Sequence, residues 1–150
     1  MNPSIHVLNG PNLDRLGTRE PAIYGTATLR DVEAACRAEA GAIGMVFRQS
    51  NSEGQLVDWL HDAIGTARGI VINPAGYSFT SIAILDALKM YDGPIVEVHL
   101  SNIHRREAIY HRSLVSTVAT AVIAGLGVLG YRLAIRAIVE LTTDAPLAPP

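Results

Sequence analysis

G-I-V-I-N, residues 69–73, is the stretch on which the fold turns. Three consecutive β-branched residues, Ile70, Val71 and Ile72, favour a pleated backbone over a helix. A short run with no polar alternation is buried on both faces, as in the central strand of a parallel sheet. Moving towards the N-terminus, Ser52 and Gln55 give a capping-box pattern ahead of Leu56, Trp59, Leu60, Ala63 and Ile64 at helical spacing. Trp59 is therefore expected in the core rather than as a ligand platform. Before it, Met45 to Arg48 reads as a strand. Towards the C-terminus, the turn Pro74-Ala75-Gly76-Tyr77-Ser78 leads into a helix through Ile82, Leu85, Asp86, Leu88 and Lys89, ending near Asp92-Gly93-Pro94. Ile95 to His99 makes the next strand.

The outer segments continue the alternation. Ile5 to Leu8 is a first, short, buried strand. Thr28, with Asp31 three residues on, caps a helix through Leu29, Val32, Ala35, Cys36 and Glu39 towards Gly41. Asn102 to Tyr110 is a polar loop with room for a helical turn. Ala119 to Ala124 is a fifth strand, and Leu126 to Leu141 a last helix with Leu129, Leu133, Ile135 or Arg136, and Val139 towards the core. Five strands alternating with helices predict an α/β fold, a doubly wound five-stranded parallel sheet with helices on both faces. The common order is 2-1-3-4-5, with the ligand crevice outside the carboxyl ends of the strands. Three polar clusters then meet at that crevice: Asn9 to Gly25, Asn73 to Ser81, and Glu97 to Arg106.

The 150 residues suit one domain spanning 1–150, with about 144–150 as a frayed Ala-Pro-rich tail. Composition is globular, 49% hydrophobic and 17% charged, and the net charge of −2 argues against nucleic acid. No apolar run approaches a membrane span, and no basic segment followed by an apolar stretch opens the chain. A cytoplasmic protein is expected. Cys36 is the single cysteine, which excludes an internal disulfide and a cysteine-based zinc site, and its apolar neighbours predict buried packing. His99, His104 and His111 do not fall on one helical face, so no metal is expected. Neither G-x-G-x-x-G after the first strand nor G-x-x-x-x-G-K-[ST] occurs, so a nucleotide lacks its phosphate cradle.

The loop Asn9 to Gly25, N-G-P-N-L-D-R-L-G-T-R-E-P-A-I-Y-G, is long for a strand-to-helix connection, and such loops are functional or disordered. The turn N-P-A-G-Y-S offers backbone N–H groups at a helix N-terminus to a carboxylate or single phosphate. In Glu97-Val98-His99, alternate residues share a strand face, so a carboxylate stands beside an imidazole. That pair suits general acid work, or is a buried ion pair that satisfies itself. Arg19 and Tyr24 form a second candidate pair, because a guanidinium beside a phenol favours the phenolate; they are equally readable as surface groups. Together a phenolate base and an imidazole acid describe a dehydration next to a carbonyl.

Three runs, L-N-G-P-N-L-D-R-L-G-T-R-E-P-A-I-Y-G, I-N-P-A-G-Y-S-F-T-S and E-V-H-L-S-N-I-H-R-R-E, resemble type II 3-dehydroquinate dehydratase, the small dehydroquinase of the shikimate or quinate pathway. The resemblance runs from Ile5 to about Leu141. It implies a flavodoxin-like fold, no metal or organic cofactor, a small cyclic carboxylate substrate, trimers packed into a dodecamer, and anti elimination of water through an enolate. On matching positions it implies Tyr24 as the base at C2, held as phenolate by Arg19 on a lid, and Asn12 holding the water that stabilises the enolate. It implies His99 as the acid at the C1 hydroxyl, oriented by Glu97. Asn73, Leu100 and Ser101, with Gly76 in the same turn region, would receive the substrate carboxylate. Arg106 would add positive charge, and Asp86 would reach a neighbouring subunit's site.

Two positions depart from that family's pattern. Phe79 stands where a histidine is usual in H-T-S, and Tyr110 where R-E-x-F-R ends in arginine. Both replaced residues would contact the C4 and C5 hydroxyls. The expectation is therefore intact elimination machinery with altered diol recognition, in which Arg105 or Arg112 is a candidate replacement cation. The alternative is a relative that acts on, or only binds, a related cyclic hydroxy-keto acid.

Overall fold

A computed structural model describes residues 2–18 and 20–143. Its sheet has five parallel strands, β1 (Ser4–Asn9), β2 (Met45–Gln49), β3 (Ala67–Asn73), β4 (Ile95–His99) and β5 (Ala121–Ala124), in the order β2-β1-β3-β4-β5. The residues 69–73 run sits in the middle strand, where Ile70, Val71 and Ile72 are fully buried. Period-two alternation sends them to opposite faces. Val71 joins Ile5, Val7, Val96 and Val98 beneath α2 (Leu29–Ala40) and α5 (Val128–Thr142). Ile70 and Ile72 join Leu8 and Ile95 beneath α3 (Glu53–Ala63) and α4 (Ile82–Lys89).

Local chemistry accounts for the helix ends. Thr28 accepts the Asp31 N–H at 3.2 Å while Asp31 accepts the Thr28 N–H at 2.9 Å, a complete capping box on α2. At α3 only half of the expected box forms. Ser52 accepts the Gln55 N–H at 3.2 Å, but the Gln55 side chain accepts from the Ser50 hydroxyl at 2.9 Å instead of returning to Ser52. Trp59 packs against the α3–α4 side of the core, with the Arg48 guanidinium 5.4 Å from its ring centroid.

The last helix corrects an expectation. Tyr131, Ala134, Ile135 and Ile138 form its buried face, whereas Leu129 and Leu133 are exposed. Its apolar residues wrap more than one face, so periodicity alone cannot choose between them. The long loop after β1 is also more structured than a loop of that composition suggests. It contains a 3₁₀ turn at Leu13–Arg15 and a one-turn helix α1 (Pro21–Tyr24), and buried Leu13 and Leu16 fasten it to the core. Among the described residues no helix is long and apolar enough to cross a membrane.

Candidate active site

Asn9, Asn73 and His99 end three adjacent strands, and Asn9 lies directly opposite Asn73 in the parallel register. Immediately after Asn9, the Gly10 N–H donates to the Asn73 carbonyl at 2.8 Å. A Cβ at Gly10 would lie 2.3 Å from the Pro74 carbonyl oxygen, so any side chain there would force the two strand ends apart. Above them opens a cleft of about 270 Å³.

The cleft collects most of the residues singled out from sequence. Asn12 and Tyr24 enter from the β1 loop, and Asn73, Gly76 and Phe79 from the end of β3 and its turn. His99, Leu100, Ser101, Arg106 and Tyr110 come from β4 and the loop behind it. Asn12 sits in the left-handed region, φ 71°, which asparagine tolerates better than most residues, and its N–H donates to the Asn51 side chain at 2.9 Å. Asn51 also receives Gln49 at 3.1 Å, and its carbonyl receives the Tyr77 hydroxyl at 2.8 Å. The β1 loop, the β2–α3 loop and the turn after β3 are thereby tied together.

Glu97 lies behind His99, fully buried, and one of its oxygens engages His99 Nε2. The other oxygen accepts the Ser116 hydroxyl at 2.6 Å. Burial by itself would raise this carboxyl, but the hydrogen bonds from His99 and Ser116, with the charge of His99, outweigh it and hold Glu97 below the ordinary carboxylate range. With Nε2 engaged by Glu97, Nδ1 is the ring nitrogen left for chemistry.

Tyr24 has a partner the sequence did not single out for it. Arg106 Nη1 donates to the Tyr24 hydroxyl at 2.8 Å, and the same guanidinium lies 5.5 Å from the Tyr24 ring centroid and 4.1 Å from that of Tyr110. Arg19, the partner expected from spacing, lies outside the described residues. Among those described, Arg106 is the one guanidinium lining the cleft; Arg105 and Arg112 are exposed and do not line it. Phe79 stacks beside His99, centroids 6.1 Å apart at 27°, and meets Tyr110 edge-on at 5.4 Å and 74°. The two departing residues therefore form one aromatic wall.

Asp86, expected to reach a neighbouring subunit's site, is exposed on α4, 3.8 Å from the Lys89 ammonium. One further expectation changes. The turn after β3 is a separate 3₁₀ segment, Ala75–Phe79, and does not open α4. That helix is capped by Ser81, whose hydroxyl accepts the Ile84 N–H at 2.9 Å. Sequence reasoning passed over Gln49, Asn51 and Tyr131. For Tyr131 a signal existed, since a buried tyrosine hydroxyl needs a hydrogen-bond partner. Among the described residues no group of three or more His, Cys, Asp or Glu side chains is placed to hold a metal ion.

These features define a doubly wound α/β enzyme with an imidazole–carboxylate pair and a phenol–guanidinium pair facing one crevice at the strand ends. The family model "Dehydroquinase class II" matches residues 3–139, and the chain belongs to that family. It is 56% identical over 137 residues to 3-dehydroquinate dehydratase 2 of Agrobacterium fabrum, covering 90% of this chain and 93% of that protein. It is 58% identical over 143 residues to 3-dehydroquinate dehydratase of Streptomyces avermitilis, covering 93% of this chain and 90% of that one. The crystal structure of type II dehydroquinase from Propionibacterium acnes superposes with a TM-score of 0.88 at 45% identity, over 93% of this chain and 98% of that chain.

Proposed function

We propose that this chain dehydrates 3-dehydroquinate to 3-dehydroshikimate by anti elimination through an enolate. The observation that carries the reading is that Tyr24, hydrogen-bonded by Arg106, lines the same cleft as His99, which is backed by Glu97. The Arg106 guanidinium stabilises negative charge on the Tyr24 oxygen. As phenolate, Tyr24 removes a proton from C2, and the electron pair moves onto the C3 carbonyl oxygen as an enolate. A water held by Asn12 stabilises that charge. The enolate then collapses to form the C1–C2 double bond while protonated His99 delivers its proton to the C1 hydroxyl, which leaves as water. Proton transfers of this kind typically contribute about 10²–10⁴-fold each. Arg19 adds a second cation at Tyr24. Asn73, with the backbone of Leu100 and Ser101 and the open turn at Gly76, receives the substrate carboxylate.

The same reading places the enzyme in the cytoplasm as trimers packed into a dodecamer, with Asp86 reaching a neighbouring site. Its support is apolar surface left uncovered in a single chain, including Ile82, Ile109, Val122 and Leu126.

A second reading rests on the contact between Phe79 and Tyr110. An aromatic wall where the ring hydroxyls would be recognised favours a cyclic hydroxy-keto acid with fewer of them. Each buried hydroxyl that loses its hydrogen bond costs about 1–3 kcal/mol. Enone absorbance from 3-dehydroquinate, followed with the natural protein, Tyr24→Phe and Phe79→His/Tyr110→Arg, separates the cases. Robust turnover by the natural sequence, abolished by Tyr24→Phe, is expected. Activity confined to the double substitution establishes the second reading, and no activity in either overturns the elimination.

A further inference from the structure

Behind the cleft runs a row of hydrogen bonds with a fixed direction. The Ala75 N–H donates to Asn73 Oδ1 at 3.1 Å, Asn73 Nδ2 donates to the Tyr131 hydroxyl at 2.9 Å, the Tyr131 hydroxyl donates to Asn9 Oδ1 at 2.7 Å, and Asn9 Nδ2 donates to the Arg48 carbonyl at 3.0 Å. Asn9 and Tyr131 are fully buried, and Asn73 is 3% exposed. One end of the row is a backbone N–H, which can only donate, and the other a backbone carbonyl, which can only accept. Rotating the Asn73 amide would set its N–H groups against the Ala75 N–H; rotating Asn9 would set its carbonyl against that of Arg48. Every link therefore has one permitted polarity. A phenol has a single proton, and Tyr131 gives it to Asn9, so its oxygen is left to accept from Asn73. Burial pushes the Tyr131 phenol up, which keeps that proton in place.

For Asn73 the consequence is specific. Its carbonyl is committed to Ala75, a non-glycine residue held at φ 52°, and one N–H is committed to Tyr131. The remaining N–H is the group available at the cleft. We propose that Tyr131, although it does not line the cleft, is a positioning residue that fixes the polarity of the Asn73 amide so that the site offers a hydrogen-bond donor to the substrate carboxylate. This rests on the reading above that the substrate is a cyclic carboxylate. A donor held in place by buried partners needs no reordering when the anion arrives. Because the carboxylate takes no part in the bonds that break, its contact is made equally before and at the transition state, and its loss appears in KM.

The test is steady-state dehydration of 3-dehydroquinate by the natural protein, Tyr131→Phe, Asn73→Ala and the double variant, with thermal unfolding of each. Tyr131→Phe is expected to raise KM about tenfold, the size of losing one hydrogen bond to a charged group, and to change kcat less than about threefold. Added to Asn73→Ala it is expected to raise KM no further, because it acts through that amide. General structural damage would lower kcat and the unfolding temperature without the KM-selective effect or its disappearance. An unchanged KM in Tyr131→Phe, or full additivity in the double variant, overturns the proposal. If Tyr131→Phe does not fold, or the natural protein shows no turnover, the side-chain amide resonances of Asn73 decide the matter during titration with quinate. One of the two protons shifting on binding supports the proposal, and equal shifts or none overturn it. Absence of turnover itself counts against the proposed reaction, not against the amide's polarity.

Discussion

At the scale of single residues, Glu97 is the group whose environment has the clearest energetic signature. Its carboxyl is fully buried, accepts from His99 and Ser116, and is held below its ordinary range. A carboxyl that ionises more readily folded than unfolded adds stability above its unfolded value, near 4.5, and loses it as pH falls through the lower folded value. Glu97→Gln removes the charge while keeping the shape. It is expected to destabilise the protein by roughly 1–3 kcal/mol at pH 7, with the gap to the natural protein closing as pH is lowered past the carboxylate range. Urea unfolding of both proteins at several pH values checks this. A gap that widens towards acid would mean that Glu97 is not the acceptor in its pairs.

At the scale of elements, α2 ties its cap to its one thiol. Burial, helped by the Glu33 carboxylate and opposed by Arg37, pushes the Cys36 thiol up to about 12, so at neutral pH it is neither ionised nor accessible. Labelling by an aromatic disulfide should therefore report the opening of this helix, at least about a hundredfold slower than for the unfolded chain. Thr28→Ala, which removes the capping box, should cost about 1 kcal/mol and speed labelling several-fold. Native labelling at the unfolded rate would sink the idea. This helix was legible from Thr28, Asp31 and the spacing through Cys36, as β3 was from three β-branched residues, because local chemistry decides both. The face of α5 was not legible, since Leu129 and Leu133 compete with Tyr131, Ala134 and Ile138, and only packing against β3 and β4 chooses. Nor was the pairing of Arg106 with Tyr24, 82 residues away. The strand ends brought Asn73, His99 and the β1 loop together as their order required, but which guanidinium meets the phenol depends on loop geometry that no periodicity encodes.

At the scale of the molecule, the edge strand β5, the turn after it and the start of α5 expose Val122, Leu126 and Leu129, each more than 40% accessible. The proposed assembly would cover this surface. Sedimentation velocity should therefore give a species many times the mass of one chain, and Val122→Asp should shift it towards smaller forms; a natural protein that sediments as a single chain would remove the proposed assembly. Within one chain, the hydrogen bond from Tyr131 to Asn9 spans 122 residues, and contacts of that separation form late because a long loop must close first. A nascent chain halted before α5 already contains Asn9, Asn73 and His99, yet the hydroxyl joining the first two has not been synthesised. The proposed positioning of the Asn73 amide therefore waits until α5 has been synthesised. On refolding from denaturant, activity should return with the phase in which α5 docks, behind any earlier recovery of the sheet.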